Sequence, residues 1–178
     1  TITTGEGGMV ASNDIELIKK VEIFKNQGRT DEAYFHHVIG FNYRLTNVQS
    51  ALGFSQLFRI DDILLRKKQI YDKYIEGFKH LKISSQEITE DKSTAHWLCA
   101  FTFDNTQTMQ LVKKNLRKNS IDSRPFFTPI ENFEMYKMKK ICHTSHFLHT
   151  HGICLPSHPK LTDCELDLVI NTISEIVG

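Results

Sequence analysis

The sequence predicts an α/β fold, and three observations carry the prediction. In the last third of the chain, residues 96–103 alternate so that Trp97, Cys99, Phe101 and Phe103 share one face, the period of a half-buried strand. Helical spacing follows over residues 109–118, an extended run over 123–127, and helical spacing again in Leu166, Val169, Ile170, Ile173 and Val177. Strand, helix, strand and helix in that order describe a small α/β unit with helices on one sheet face. Upstream, Ile60, Ile63, Leu64, Ile70, Tyr71, Tyr74 and Phe78 mark one long amphipathic helix, of the kind that bridges two parts of a structure.

Taken in order, the chain opens on a glycine turn. Gly5, Gly7 and Gly8 bracket Glu6 and allow a tight reversal, because glycine tolerates positive φ. A strand is expected to emerge from it over Met9, Val10 and Ala11. No Gly-Lys-Ser/Thr closes the turn, so it is not a phosphate loop. Glu6 reads as structural, a carboxylate that accepts backbone amides and holds the turn. Asn13 or Asp14 offers a cap for a helix over residues 15–27, with Gly28 at its stop. Residues 29–37 show no period and read as a loop whose Tyr34, Phe35, His36 and His37 pack over a neighbour.

Thr46 and Gln49 form a capping box that opens a second helix, with Val48, Ala51, Leu52 and Ser55 on one face. Its small residues, Ala51, Gly53 and Ser55, permit close packing. The polar run 84–93 is the boundary candidate. The helix over 109–118 is expected to be capped near Thr106 or Thr108, and Pro125 places its strand at an edge or an end. Thr162 and Glu165 make a second capping box for the closing helix.

Composition removes several classes of function. Lys and Arg number 22 against 21 for Asp and Glu, so no global field argues for nucleic acid. The basic runs at Arg66–Lys68 and Lys137–Lys140 read as solvated helix faces. No apolar run approaches the ~20 residues of a membrane span, and residues from Thr1 lack the pattern of a secretory signal. Cys99, Cys142, Cys154 and Cys164 show no C-x-x-C pair and read as reduced thiols in the cytoplasm. Cys142, His143, His146, His149, His151 and Cys154 cluster, and the histidines spaced three apart share a helix face. That spacing is not a zinc pattern, and no metal site is assigned.

Two stretches carry more specific information. One is Thr1 to Gly8; the other runs from Ile39 to Leu57 and contains Gly40, Phe41, Asn42, Tyr43 and Arg44 in sequence. Together they resemble the pyridoxal-phosphate-dependent nucleotide-sugar aminotransferases, nearest to the perosamine-type branch that makes 4-amino-4,6-dideoxy sugars. The resemblance runs along the whole chain and is thinnest between His80 and Lys118. It implies the C-terminal part of a fold-type-I transferase. Residues 1–80 are then the end of the large domain with its long connecting helices, and 81–178 the small C-terminal α/β domain.

In that family the lysine that holds the cofactor stands immediately before the Thr1 run. The chain is therefore expected to start just past it, with no catalytic residue of its own, and to be inactive in isolation. Lys19 and Lys20, on the far side of the glycine turn, do not replace it. The resemblance gives Asn42 the cofactor phosphate of the other subunit, and so implies a homodimer whose active site is shared. Arg44 and Arg124 are candidates for the diphosphate of the substrate, because a guanidinium fork matches phosphate oxygens. Each is equally the kind of residue that pins a loop. The implied reaction moves an amino group from glutamate to a nucleotide-linked 4-keto-6-deoxyhexose, for a surface polysaccharide such as O-antigen.

There are departures. Where the family has Pro-(aliphatic)-His, this chain has Pro129, Ile130 and Glu131, which puts the sugar nucleotide in question. Ala11 and Ser12 are conservative replacements, and His158 reads as structural. The rival readings are a non-catalytic dimerisation or interaction module derived from the family, and a His/Cys metal-binding domain.

Overall fold

The computed structural model describes residues 1–32, 34–89, 92–136 and 141–178, so the expected basic face at Lys137–Lys140 lies outside the described residues. The chain forms two compact units, Thr1–Asp61 and Asp62–Gly178.

Unit 1 holds α1 (Ile15–Lys25) and α2 (Asn47–Leu57). Of the two candidate caps, Asp14 is the one used: its carboxylate accepts the Leu17 amide at 3.1 Å. Left-handed backbone at Gln27 and Gly28 (φ 64° and 76°) ends α1. The capping box of α2 is as the sequence reads it, with Thr46 accepting from the Gln49 amide and Gln49 reaching back. The expected strand at Met9 to Ala11 is not formed: the segment is irregular and exposed. A strand needs a hydrogen-bonding neighbour, and no described segment of unit 1 pairs with it. Neither helix of unit 1 buries a residue, and Gly28 is the one buried position among its described residues.

Unit 2 has a real core. Its strands are β1 (Ile83–Ser85), β2 (Cys99–Phe103), β3 (Arg124–Pro125) and β4 (Gly152–Leu155), in one antiparallel sheet of order β1-β2-β4-β3. The helices are α3 (Ile60–Phe78, its first two residues in unit 1), α4 (Thr106–Lys118), α5 (His143–His151) and α6 (Asp163–Val177). Cys99 pairs with Leu155 and Phe101 with Ile153, so these side chains share one sheet face. Against that face lie Ile70, Tyr74 and Phe78 of α3, Val112 and Leu116 of α4, and Leu166 and Ile173 of α6. Three of the helices, α3, α4 and α6, thus line this face. Because the inner residues of α3 belong to this core, the long helix groups with the second unit rather than with the residues before it.

Three local differences from the sequence reading have simple causes. Asn105, not Thr106 or Thr108, caps α4, its side chain accepting the Thr108 amide at 2.8 Å. The polar run after His80 begins in β1, an edge strand that needs only one half-buried apolar residue, Ile83. Trp97 does not join the buried face: the strand starts at Cys99, and His96 has left-handed backbone (φ 44°), which turns the chain before it. Pro125 sits on the other edge strand, where its missing N–H costs no ladder bond. No described helix is long and apolar enough to cross a membrane.

Candidate functional site

The Gly40–Arg44 stretch is built by a close pass of two backbones. A Cβ on Gly40 would stand 2.1 Å from the Gly28 nitrogen, and one on Gly28 would meet the Val38 carbonyl oxygen at 1.8 Å. Only glycine fits at either place. With the pass closed, the segment hydrogen-bonds along the end of α1. Phe41 N–H donates to the Phe24 carbonyl at 2.7 Å, Gln27 N–H to that of Phe41 at 2.9 Å, and Tyr43 N–H to that of Lys25 at 3.0 Å. The rings of Phe41 and Tyr43 stack at 5.0 Å. In extended backbone the residue between two such neighbours faces the other way, so Asn42 is presented opposite the stacked pair. Its amide is exposed and has no hydrogen-bond partner among the described residues. Arg44 is exposed and donates to the Asn26 side chain at 3.3 Å, the loop-pinning contact that was its alternative reading.

The glycine turn is docked on α2 by two glutamines one heptad apart. Gln56 pairs with Thr3 in both directions, donating to its carbonyl at 2.7 Å and accepting its amide at 3.0 Å. Gln49 donates to the Glu6 carbonyl at 3.3 Å, and the Thr4 hydroxyl donates to the same oxygen at 2.7 Å. The main-chain oxygen of Glu6, rather than its carboxylate, therefore holds the turn. Gly5 (φ 81°) and Gly7 (φ 145°) supply the backbone shape.

In unit 2, Arg124 is exposed on β3, paired across the ladder with Cys154. No carboxylate among the described residues lies within ion-pairing distance of it. Beyond it, Glu131 occupies the position where the resemblance expects an imidazole. Its side chain is 7% exposed, accepts the Cys142 amide at 2.9 Å, and stands 3.5 Å from His146 Nε2. Its own backbone N–H and that of Cys142 hold its carboxyl below the usual range, with His146 contributing in the same direction. Glu131 thus ties residues 130–132 to the start of α5.

His149 adds a second tie to α5, its Nδ1 donating to the Phe126 carbonyl at 3.1 Å, while His151 stacks on Phe147 of the same helix at 4.4 Å. Among the described residues no group of three His, Cys, Asp or Glu side chains comes together around a metal position. Cys154, the far end of the sequence cluster, is buried in β4, where burial pushes its thiol up. All four cysteines are free thiols. Asn42 and Arg44 stand two residues apart in unit 1, and Arg124 belongs to unit 2. Sequence reasoning missed the two docking glutamines and an exposed ring pair, Trp97 with Phe127. A Gln-x₆-Gln spacing on one helix face was the available signal for the first.

Comparison with known proteins defines the class. The fold of this chain is that of aminotransferase structures: it superposes on an aminotransferase from Brucella abortus with a TM-score of 0.82 at 23% identity, over 94% of this chain and 45% of that one. The chain belongs to the DegT/DnrJ/EryC1/StrS aminotransferase family, whose model matches residues 1–174. It is 34% identical to the GDP-perosamine synthase of Escherichia coli O157:H7, over 98% of this chain and 48% of the relative. It is 29% identical to the UDP-4-amino-4,6-dideoxy-N-acetyl-beta-L-altrosamine transaminase of Helicobacter pylori, over 90% of this chain and 45% of the relative. The chain thus spans about half the length of the curated relatives it matches.

Aminotransferases of this family depend on pyridoxal 5′-phosphate. The residues here fit a phosphate-bearing group. An unpartnered amide at Asn42 sits on backbone fixed by the Gly28–Gly40 pass, and no carboxylate among the described residues pairs with the nearby Arg44.

Proposed function

We propose that this chain is the phosphate-contacting and small-domain portion of a sugar aminotransferase. The complete protein moves an amino group from glutamate to a nucleotide-linked 4-keto-6-deoxyhexose, giving a 4-amino sugar nucleotide for a surface polysaccharide such as O-antigen. The observation that carries the reading is the presentation of Asn42 on a rigid segment, within a motif that keeps every residue from Gly40 to Arg44. Bound pyridoxal phosphate supplies the electron sink for the transfer. Asn42 donates to a phosphate oxygen, and its neutral amide neither competes for a proton nor cancels the phosphate charge. Arg44 and Arg124 offer forked donors to the substrate diphosphate, each contact being charge-assisted.

A homodimer with the cofactor site shared between subunits suits unit 1. Its helices bury nothing among the described residues, while Met9, Phe24, Val48, Leu52 and Phe54 lie exposed. Apolar surface on that scale marks an interface. The reaction belongs in the cytoplasm, where sugar nucleotides are made and thiols stay reduced.

The test uses the complete gene product with added pyridoxal phosphate. Its visible cofactor absorbance should bleach with glutamate and return with the nucleotide-linked keto sugar. Asn42→Ala should weaken cofactor retention about 10- to 150-fold, the loss of one hydrogen bond to a charged group. Cofactor absorbance untouched by glutamate rules the transamination out.

A further inference from the structure

Helix α2 partly buries polar residues and leaves its apolar ones in solvent. Of its 11 residues, Gln49, Gly53 and Gln56 are half-buried, while Val48, Leu52, Phe54 and Leu57 are exposed. Positions 49, 53 and 56 are spaced by four and three and so lie on one helix face. That face carries the glycine turn. Between the two glutamines the contact is close: a Cβ on Gly53 would stand 3.0 Å from Thr4 Cγ2.

Gln49 does more than close a capping box. Its Oε1 accepts the Thr46 amide and hydroxyl, each at 3.0 Å, which completes the box. Its Nε2 donates to the Glu6 carbonyl at 3.3 Å. A box needs only the acceptor, and α6 shows this: there Glu165 accepts the Thr162 amide and hydroxyl at 2.7 and 2.8 Å. The amide nitrogen at position 49 is surplus to capping, and what it serves is the tie to the glycine turn. Gln56 likewise uses both ends of its amide, accepting the Thr3 N–H and donating to the Thr3 carbonyl. A carboxylate at either position would keep the acceptor and lose the donor.

The tie reaches the Asn42 segment. Thr46 lies two residues after Arg44, so the single side chain of Gln49 joins the turn to the end of the Gly40–Arg44 motif. A second contact runs beside it: a Cβ on Gly7 would meet Leu45 Cδ1 at 2.9 Å, so the turn lies against the residue that follows Arg44. The other end of the motif is closed by the Gly28–Gly40 pass. The segment is thereby held from two directions, by α1 before it and by the glycine turn on α2 after it.

We propose that Gln49 and Gln56 are positioning residues of the cofactor site, clamping the glycine turn to α2 and so fixing the segment that presents Asn42 to the phosphate. The clamp rests on the Asn42 reading above and adds the residues that act through it.

Equilibrium dialysis of the complete gene product against pyridoxal phosphate tests this, with pyridoxal as the probe that lacks the phosphate. Gln49→Glu and Gln56→Glu should each weaken pyridoxal phosphate about 2- to 12-fold, the worth of one ordinary hydrogen bond, and leave pyridoxal unchanged. Far-ultraviolet dichroism should show full helix content in Gln49→Glu, since α2 keeps its capping box. If both glutamate variants retain pyridoxal phosphate as the unaltered protein does while Asn42→Ala loses it, the clamp is wrong and the Asn42 reading stands. Loss of pyridoxal in proportion, or loss of helix content alongside, equally overturns the clamp, because the glutamines would then support the fold at large. So does a loss that vanishes at 1 M salt, where charges are screened beyond about 3 Å and the new carboxylate would be repelling the phosphate. If Asn42→Ala itself leaves retention unchanged, the Asn42 reading fails and the clamp with it.

Discussion

Phe101 and Trp97 stand at like positions of one alternating run, and the structure gives them opposite environments. Phe101→Ala and Trp97→Ala measure that difference. Phe101 is 1% exposed, with its ring stacked on Tyr71 at 6.1 Å and edge-on to Tyr74 at 5.9 Å and Phe78 at 5.2 Å. Truncating a buried phenylalanine costs about 3–5 kcal/mol, the lost transfer free energy plus the cavity left behind. Each aromatic pair adds about 0.5–1.5 kcal/mol beyond area, so three partners place this residue near 5 kcal/mol. Trp97 contributes no ring to the core, and its truncation should fall within about 0.5 kcal/mol of zero, as for other surface changes. Urea unfolding followed by near-ultraviolet dichroism reads both. With a slope of about 1–3 kcal/mol per molar, the Phe101 variant should lose more than about 1 M in midpoint while the Trp97 variant keeps it. A cost at Trp97 comparable to that at Phe101, or less than about 2 kcal/mol at Phe101, refutes the placement of the sheet face.

Two further outcomes follow from local geometry. Gly40→Ala forces a methyl group into the Gly28 backbone at 2.1 Å, which no rotamer relieves, so the segment carrying Asn42 must open. Cofactor retention should fall at least as far as in Asn42→Ala, read by equilibrium dialysis against pyridoxal phosphate. For the pH dependence, backbone and hydroxyl hydrogen bonds from Thr162 hold the Glu165 carboxyl below its ordinary range. A depressed folded value means the capping contribution is fully present above the unfolded value of about 4.3 and is lost as pH falls through the folded one. Glu165→Gln should flatten that part of the acid limb of an unfolding-against-pH curve, and an unchanged limb would show that the box carries no linkage.

What was legible in the sequence was local. Both capping boxes were read to the residue, because Thr46 with Gln49 and Thr162 with Glu165 need nothing beyond their own turn. Glycines at 28 and 40 stood out, yet that each excludes a side chain because of the other follows only from bringing the two backbones together. The strand β4 escaped notice for a physical reason. It is a central strand, all four of its residues are buried, and burial on both faces erases the alternation that marks a strand in sequence. Glu131 looked like a lost imidazole at a substrate position, and the fold gives it the Cys142 amide and His146 instead.

The sequence by itself determined the α/β class, the two capping boxes and the helices they open, the family, and the intact motif around Asn42. Each of these rests on short-range patterns, periodicity, or residue identity, which survive without coordinates. Tertiary structure alone decided the strand order β1-β2-β4-β3, the exposure of Trp97, the docking of the glycine turn by Gln49 and Gln56, and the helix α3 as part of the second unit's core. Those depend on which distant segments meet, and a strand or a face acquires its environment only from the partner that closes over it.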